Sequence, residues 1–130
     1  MKIDYAARAQ ALVGTPFRVQ GRGVGGLDCV GVVLATFNIP DDSVRRDYAL
    51  RGDHLHELQD AIARHFRSVA RTMLRAGDVL LLEAGARQFH LAVCTGRGFV
   101  HAHAGIGRIV ETPGLPEWPL LGVYRMCRGR

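Results

Sequence analysis

The spacing of hydrophobic residues in the first half of the chain favours helices. An Ala-rich segment at residues 3–13 predicts an amphipathic helix, because its apolar residues fall on one side: Tyr5, Ala9, Leu12 and Val13. Gly14-Thr15-Pro16 follows and ends it. A later helix is predicted after Asp53, which can cap it, with apolar residues at i, i+3, i+7 and i+11: Leu55, Leu58, Ile62 and Phe66.

The run from Cys29 to Phe37 is apolar on every side, so periodicity does not distinguish a buried helix from a strand. Its β-branched residues favour a strand. Asp28 favours a helix, because a carboxylate at that position accepts hydrogen bonds from the N–H groups of a first helical turn. A run of about nine residues also suits a buried helix. We therefore predict a helix that begins at Cys29.

The second half changes to strands separated by turn residues. Strands are predicted at residues 79–82, 90–94, 99–103, 108–112 and 120–126. Thr95-Gly96-Arg97-Gly98 is a hairpin signal between the second and third of them. Helices followed by a strand meander predict an α+β fold. With no repeat or linker in 130 residues, we expect a single domain over residues 1–130.

Composition and charge narrow the classes of partner. The chain is 48% hydrophobic and 22% charged, as globular domains are, and its apolar stretches fall far short of the ~20 residues of a membrane span. The N-terminus has no apolar signal core, so we expect synthesis in the cytoplasm. Seventeen basic against twelve acidic residues give a formal charge of +5. The arginines are scattered, so an anionic polymer such as a cell wall fits, and nucleic acid is not expected.

A basic stripe on a helix is a second interpretation of some of these arginines. Four of them have helical spacing, and we expect them to form a solvated face: Arg64, Arg67, Arg71 and Arg75.

Three cysteines, an odd number without C-x-x-C spacing, indicate neither a disulfide framework nor a zinc ribbon. Cys94 and Cys127 lie in apolar strand patterns and are expected to be structural. Cys29 follows the Asp28 cap, where helix N-terminal N–H groups favour a thiolate and can hold an oxyanion. The alternative for Cys29 is a small buried hydrophobic residue.

Three of the six histidines are expected on one sheet face. His101 and His103 share a face because the side-chain period of a strand is two. A short turn at Gly96-Arg97 pairs residues whose numbers sum to 193, which places His90 opposite His103 and diagonal to His101. The other three, His54, His56 and His65, are expected on the surface of the third helix.

Zinc binding and phosphate binding are rival interpretations. Three histidines and a cysteine are plausible zinc ligands, but Cys94 lies roughly 13 Å along the strand from His90, so only Cys29 could complete the site. This spacing gives zinc only modest support, so no metal or other cofactor is predicted. The glycine-dense residues 21–26 lack the GK[ST] ending of a phosphate loop, and a flexible wall beside Cys29 is the simpler interpretation.

Five motifs, in order, resemble those of the NlpC-type papain-like cysteine peptidases, especially their compact phage and prophage branch. Gly14-Thr15-Pro16-Phe17 resembles the family's "GTPY" turn, and Asp28-Cys29-Val30-Gly31 is similar to its "DCSG" nucleophile motif. Three strand motifs follow, similar to "PGDLV", "HVGI" and "FIHA": Ala76-Gly77-Asp78-Val79-Leu80, His90-Leu91-Ala92-Val93 and Phe99-Val100-His101-Ala102. The resemblance implies a papain-like α+β domain.

The resemblance also implies a function and its residues. Cys29 is expected as the nucleophile, His90 as the general base and His101 as the third residue that orients His90, with His103 as a wall of the site. The implied activity is hydrolysis of a peptidoglycan stem peptide, most often between D-glutamate and a diamino acid. Phage-tail or secretion-machine proteins are expected partners for delivery.

Three positions depart from the family pattern. Phe17 stands where the family commonly has Tyr, Val30 where it has Ser, and Phe89 where it has Ser or Asn. Each change removes a polar group near the expected substrate and oxyanion, so a more apolar cleft is expected. A catalytically silent tail-assembly or wall-binding module of the same fold is the alternative function.

Overall fold

Helices from the first half of the chain pack on one face of an antiparallel sheet, as the computed structural model of the protein shows. The structure describes residues 3–18, 22–23, 26–40, 55–85 and 88–127. Its helices are α1 (Tyr5–Gln10), α2 (Cys29–Phe37) and α3 (Leu55–Ala63), with a 3₁₀ turn at Arg71–Met73. None of the described helices is long and apolar enough to cross a membrane.

The strands form two sheets. A small one joins β1 (Arg22–Gly23) and β2 (Gly26–Leu27). The six-stranded sheet, in the order β3-β8-β4-β5-β6-β7, contains β3 (Phe66–Val69), β4 (Val79–Gly85), β5 (Gln88–Cys94), β6 (Gly98–His103), β7 (Arg108–Pro113) and β8 (Leu120–Met126). The predicted α+β fold and all five predicted strands are confirmed.

The helix predicted at Cys29 is also confirmed, and its ends explain its length. Asp28 is extended, and its carboxylate accepts a hydrogen bond of 2.6 Å from the N–H of Gly31. Asn38 adopts the left-handed conformation with φ of 55° and ends the helix. Nearly every residue between them is buried, which is why an amphipathic pattern is missing from the sequence.

Two hydrophobic clusters lie on opposite faces of the sheet. The helix-side cluster joins α2 and α3 to residues such as Leu81, Leu91 and Ala102. The second cluster contains the alternate strand residues, which are Leu80, Leu82, Ala92, Cys94, Phe99 and Val123. Because neighbouring residues of a strand point to opposite faces, membership in a cluster identifies the face on which each side chain lies.

The sheet continues beyond β7 through the segment before the glycine-dense loop. The N–H of Gly14 donates to the Ile109 carbonyl at 2.9 Å, and Pro16 forms a bridge with Arg108. Phe17 then bridges in parallel to Leu27, two residues before Cys29. These pairings connect the N-terminus of α2 to the edge of the sheet at β7.

Three sequence predictions about the core elements need correction. Phe66, expected on the third helix, begins β3 and pairs with Met126 of β8, although it is buried as its spacing suggested. The first helix ends at Gln10, so Val13 is 45% exposed, because the chain turns there to join the sheet edge. His65 lies beyond the end of α3 and is half-buried.

The remaining surface predictions have mixed outcomes. The four arginines at helical spacing are all exposed, but they lie on different elements instead of one helix. His56 is exposed on α3, whereas His54 and the expected cap Asp53 lie outside the described residues. Cys94 is buried in the second cluster, as expected of a structural cysteine.

Candidate active site

Cys29 is the first residue of α2 and lies in the helix-side cluster with 4% of its surface exposed. Asp28 fixes the start of the helix beside it through the bond to Gly31. The N–H groups of the first helical turn therefore point towards the end of the helix that carries the thiol. All three cysteines are thiols and not disulfides.

Phe17, Val30 and Phe89, the three positions that depart from the family pattern, all pack in or against the helix-side cluster. Phe17 is half-buried against the helix-side cluster, beside Leu27. Val30 is 4% exposed and Phe89 9% exposed, and both side chains pack in that cluster. Their contribution to an apolar cleft stays a prediction.

His90 and His101 form a hydrogen-bonded pair on the other face of the sheet. His90 Nε2 lies 2.9 Å from His101 Nδ1, and the rings meet edge to face. His90 pairs across the β4–β5 ladder with Leu82, a member of the second cluster, which identifies its face. The predicted hairpin register is confirmed at Val93↔Val100 and Cys94↔Phe99, whose numbers sum to 193, but the described ladder ends there and does not include the predicted pairing of His90 with His103.

The β5–β6 ladder changes just before the histidines. Its described pairs end at Val93↔Val100, whereas β5 continues to pair with β4 as far as Gln88. The part of the hairpin that carries His90 and His101 is therefore outside that ladder. α2 packs against both β5 and β6 from the side of the helix-side cluster, which contains Cys29.

Thr112 extends the line of hydrogen bonds, a contact that the sequence analysis missed. Its Oγ1 lies 2.9 Å from His101 Nε2, so both ring nitrogens of His101 have a partner inside the protein. The close approach of β7 to β6 makes this possible. A Cβ at Gly98 would collide with the Thr112 carbonyl, so only glycine fits there.

His103 has a different role in the structure from His101. The N–H of Ile106 donates to His103 Nδ1 at 3.1 Å, which holds the turn after β6. The His103 ring lies 5.9 Å from the His101 ring, centroid to centroid. Of the two residues, His101 is the one whose ring is described as hydrogen-bonded to His90, at 2.9 Å.

Trp118 covers the histidine pair. Its ring centroid lies 5.6 Å from that of His90 and 6.0 Å from that of His101, and both contacts are edge to face. Trp118 is itself 37% exposed. It lies on the proline-rich segment between β7 and β8, whose position relative to β5 no local pattern reveals.

Burial sets the protonation state of the pair. Desolvation, aided by the positive charges that His101 and His103 carry when protonated, lowers the pKa of His90 to about 4. Desolvation, with His103 second, lowers the pKa of His101 to about 4. Both imidazoles are therefore neutral at pH 7, the form in which His90 can accept a proton.

A cavity of about 280 Å³ opens beside the pair and is lined by His101, His103, Thr112, Leu115, Glu117 and Trp118, among others. Within the part of the chain that the structure describes, no three His, Cys, Asp or Glu side chains are arranged to hold a metal ion. What the described arrangement offers is a neutral imidazole pair, a covering indole and a thiol at a helix N-terminus.

Comparison with known proteins gives two kinds of similarity. No protein-family model matches the chain. It is 31% identical over 106 residues to the murein DD-endopeptidase MepS/murein LD-carboxypeptidase of Escherichia coli, a match that covers 81% of this chain and 51% of the relative. The chain thus spans about half the length of the curated relatives that it matches.

Solved structures of low sequence identity share the fold. An NlpC/P60 family protein from Bacillus cereus superimposes with a TM-score of 0.68 at 18% identity, covering 95% of this chain and 39% of that one. The chain has the NlpC/P60 fold. RipD from Mycobacterium tuberculosis, described as a non-catalytic NlpC/P60 domain protein adapted to peptidoglycan binding, superimposes with a TM-score of 0.56 at 14% identity, covering 94% of this chain and 93% of that one.

The motif resemblance is confirmed at this level. In the NlpC/P60-type domain, the "DCSG"-like residues Asp28 and Cys29 begin α2, and the "HVGI"-like and "FIHA"-like residues His90 and His101 lie on adjacent strands. The phage branch and the roles of these three residues stay predictions.

Proposed function

We propose that this NlpC/P60-type domain is a cysteine peptidase that hydrolyses a peptide bond of a peptidoglycan stem peptide. Cys29 is the nucleophile, His90 the general base and His101 the residue that orients His90. The hydrogen bond between His90 Nε2 and His101 Nδ1 carries the proposal, because it leaves Nδ1 of His90 as the ring nitrogen for the thiol.

The proposed mechanism has two acyl-transfer steps. His90 Nδ1 takes the Cys29 proton, and the thiolate attacks the peptide carbonyl while N–H groups at the start of α2 stabilise the oxyanion. The imidazolium of His90 then protonates the leaving amine, and the C–N bond breaks to leave a thioester. Water, deprotonated by His90, hydrolyses the thioester and restores the Cys29 thiol.

The thiol and the base approach each other from opposite sides of the sheet in this proposal. Cys29 belongs to the helix-side cluster and His90 to the other face. We place their meeting point beyond the Val93↔Val100 pair, where the described β5–β6 ladder ends. His90→Asn should then slow the alkylation of Cys29, because it removes the nitrogen that accepts the proton.

The bond that is cut is best tested with a panel of substrates. The sequence resemblance favours the D-glutamyl–diamino acid bond, whereas the name of the E. coli relative states murein DD-endopeptidase and LD-carboxypeptidase activities. Purified stem tetrapeptides and cross-linked stem-peptide dimers, incubated with the domain and analysed by mass spectrometry, distinguish the three. Cleavage that disappears in Cys29→Ala supports the proposal. No cleavage of any substrate by a folded, thiol-reduced protein contradicts it.

A non-catalytic peptidoglycan-binding module is the second candidate. The likeness to RipD and the apolar residues Phe17, Val30 and Phe89 favour it. Sedimentation with purified cell-wall sacculi tests it directly. Binding that is equal in the wild type and Cys29→Ala, without released peptides, indicates this function. Delivery by phage-tail or secretion-machine proteins stays a prediction for either candidate.

A further inference from the structure

Thr112 ends the line of hydrogen bonds that begins at His90, and we propose that its hydroxyl selects the tautomer of both histidines. It acts as a positioning residue, because it contacts His101 and not the reacting atoms. The inference rests on the proposed function in one respect: the tautomer affects catalysis through the role of His90 as the general base. The tautomers themselves are measurable without any substrate.

The His101 ring, which lies between His90 and Thr112, has little freedom to change its orientation. His101 is 3% exposed, and its two nitrogens lie 2.9 Å from His90 Nε2 and 2.9 Å from Thr112 Oγ1. A neutral imidazole carries one proton, so one of its nitrogens donates and the other accepts. The direction of one hydrogen bond in the line therefore determines the direction of the other.

Two arrangements of the protons satisfy both hydrogen bonds. In the first, His90 Nε2–H donates to His101 Nδ1, and His101 Nε2–H donates to Thr112 Oγ1. In the second, the Thr112 hydroxyl donates to His101 Nε2, and His101 Nδ1–H donates to His90 Nε2, so the proton of His90 is on Nδ1. Only the first state leaves a lone pair on His90 Nδ1 to accept the proton of a thiol.

The Thr112 hydroxyl can support the first state because of where it lies. When Oγ1 accepts from His101, its own proton needs another acceptor. Thr112 lines the 280 Å³ cavity beside the pair, so an occupant of that cavity can take this proton. A carbonyl or carboxylate oxygen of a bound peptide at this position would hold Thr112 in the accepting orientation and favour the base form of His90.

Removal of the hydroxyl alone tests the idea. Thr112→Val keeps the branched shape but leaves His101 Nε2–H without an acceptor, a costly situation for a buried donor. The second state leaves a bare ring nitrogen there instead, so the variant should shift towards it. Thr112→Ser retains the hydroxyl and should behave as the wild type. Thr95→Val is the matched control, because the Thr95 hydroxyl donates to Glu111 at 2.7 Å and not to a histidine.

The experiment is ¹⁵N NMR of histidine-labelled protein at pH 7, with signals assigned through His90→Asn and His101→Asn. We expect Nε2–H on both rings in the wild type, Thr112→Ser and Thr95→Val, and a major population of Nδ1–H in Thr112→Val. The same tautomers in Thr112→Val and the wild type, or Nδ1–H on His90 in the wild type, would overturn the inference.

Peptidase assays on the same proteins test the proposed function separately from the role of Thr112. We expect Thr112→Val to lower kcat about tenfold with little change in KM, and Thr112→Ser to restore it. A tautomer shift without activity in any protein contradicts the proposed function but supports the role of Thr112. Activity with unchanged tautomers contradicts the role of Thr112 alone.

Discussion

The imidazoles of His90 and His101 are hydrogen-bonded at 2.9 Å although the residues lie on different strands, eleven positions apart. The bond joins Nε2 of one ring to Nδ1 of the other, so each ring has a defined orientation. The indole of Trp118 lies against both. This pair is the feature on which the proposed chemistry depends, and it also makes stability depend on pH.

Acidification should destabilise the protein between about pH 6.5 and pH 4. The pKa values of His90 and His101 are lowered to about 4 in the folded state, so below pH 6.5 the unfolded chain binds more protons. Stability is then lost as the pH falls through this window, by on the order of 5 kcal/mol for the two groups together. Urea unfolding from pH 4 to pH 8 measures this loss. An equally steep loss in the His90→Asn/His101→Asn double variant would assign it to other groups.

Loss of the Trp118 indole should raise the pKa of His90 from about 4 towards 6.5. Trp118→Ala exposes the imidazole to water and weakens the desolvation that lowers this pKa. NMR titration of the His90 ring measures the change. Leu115→Ala is the control, because Leu115 is 72% exposed on the same segment, whereas the described ring contact with His90 is made by Trp118. Equal shifts in both variants would point to a general loosening of the segment.

The Asp28 cap should affect both stability and reactivity. Asp28→Ala removes the 2.6 Å bond to the Gly31 N–H, at a cost of about 1 kcal/mol, and allows the first turn of α2 to fray. The alkylation rate of Cys29 should fall several-fold. Asp4→Ala removes the equivalent cap of α1, a 3.0 Å bond from the Ala7 N–H, and should leave that rate unchanged. Unfolding curves and mass-spectrometric labelling provide the two measurements, and equal labelling in all three proteins would contradict the prediction.

The ion pair of Asp78 and Arg125 should be the most sensitive polar contact of the sheet. Arg125 donates two hydrogen bonds of 2.8 Å to the carboxylate of Asp78, which is 1% exposed. Arg125→Met leaves that carboxylate buried without its cation, which costs about 3–5 kcal/mol. Arg97→Ala, which removes a 77% exposed partner of Glu111, should cost less than ~1 kcal/mol. Chemical denaturation compares the two, and similar losses would disprove the ranking.

Local signals in the sequence predicted the parts of the molecule that depend on local physics. Asp28 before an apolar run predicted the start of α2, and period-two patterns with a Gly-Arg turn predicted the register of β5 and β6. The prediction that Phe66 lies on the third helix was wrong, because the helical spacing of apolar residues continues past the end of α3 at Ala63. Phe66 instead begins β3, which pairs with β8. Its burial was right, but its element depended on a distant strand.

The missed residues of the candidate site have the same explanation. Thr112 contacts His101 because β7 pairs with β6, and Trp118 contacts both histidines because the segment after β7 brings it against them. Neither residue is close in sequence to His90, and a threonine in a strand has no distinguishing pattern. Motif order identified the residues expected to react, whereas the residues that orient and cover them became visible in three dimensions.

The pH dependence of iodoacetamide labelling at Cys29 tests the central claim most directly. The wild type, His90→Asn and Cys29→Ala are labelled at a series of pH values, and the modified residue is identified by mass spectrometry. We predict rapid labelling of Cys29 with an apparent pKa well below the ~8.5 of a free thiol, and a higher apparent pKa and slower labelling in His90→Asn. Slow labelling of Cys29 with an ordinary thiol pKa, unchanged in His90→Asn, would contradict a catalytic thiol–imidazole pair.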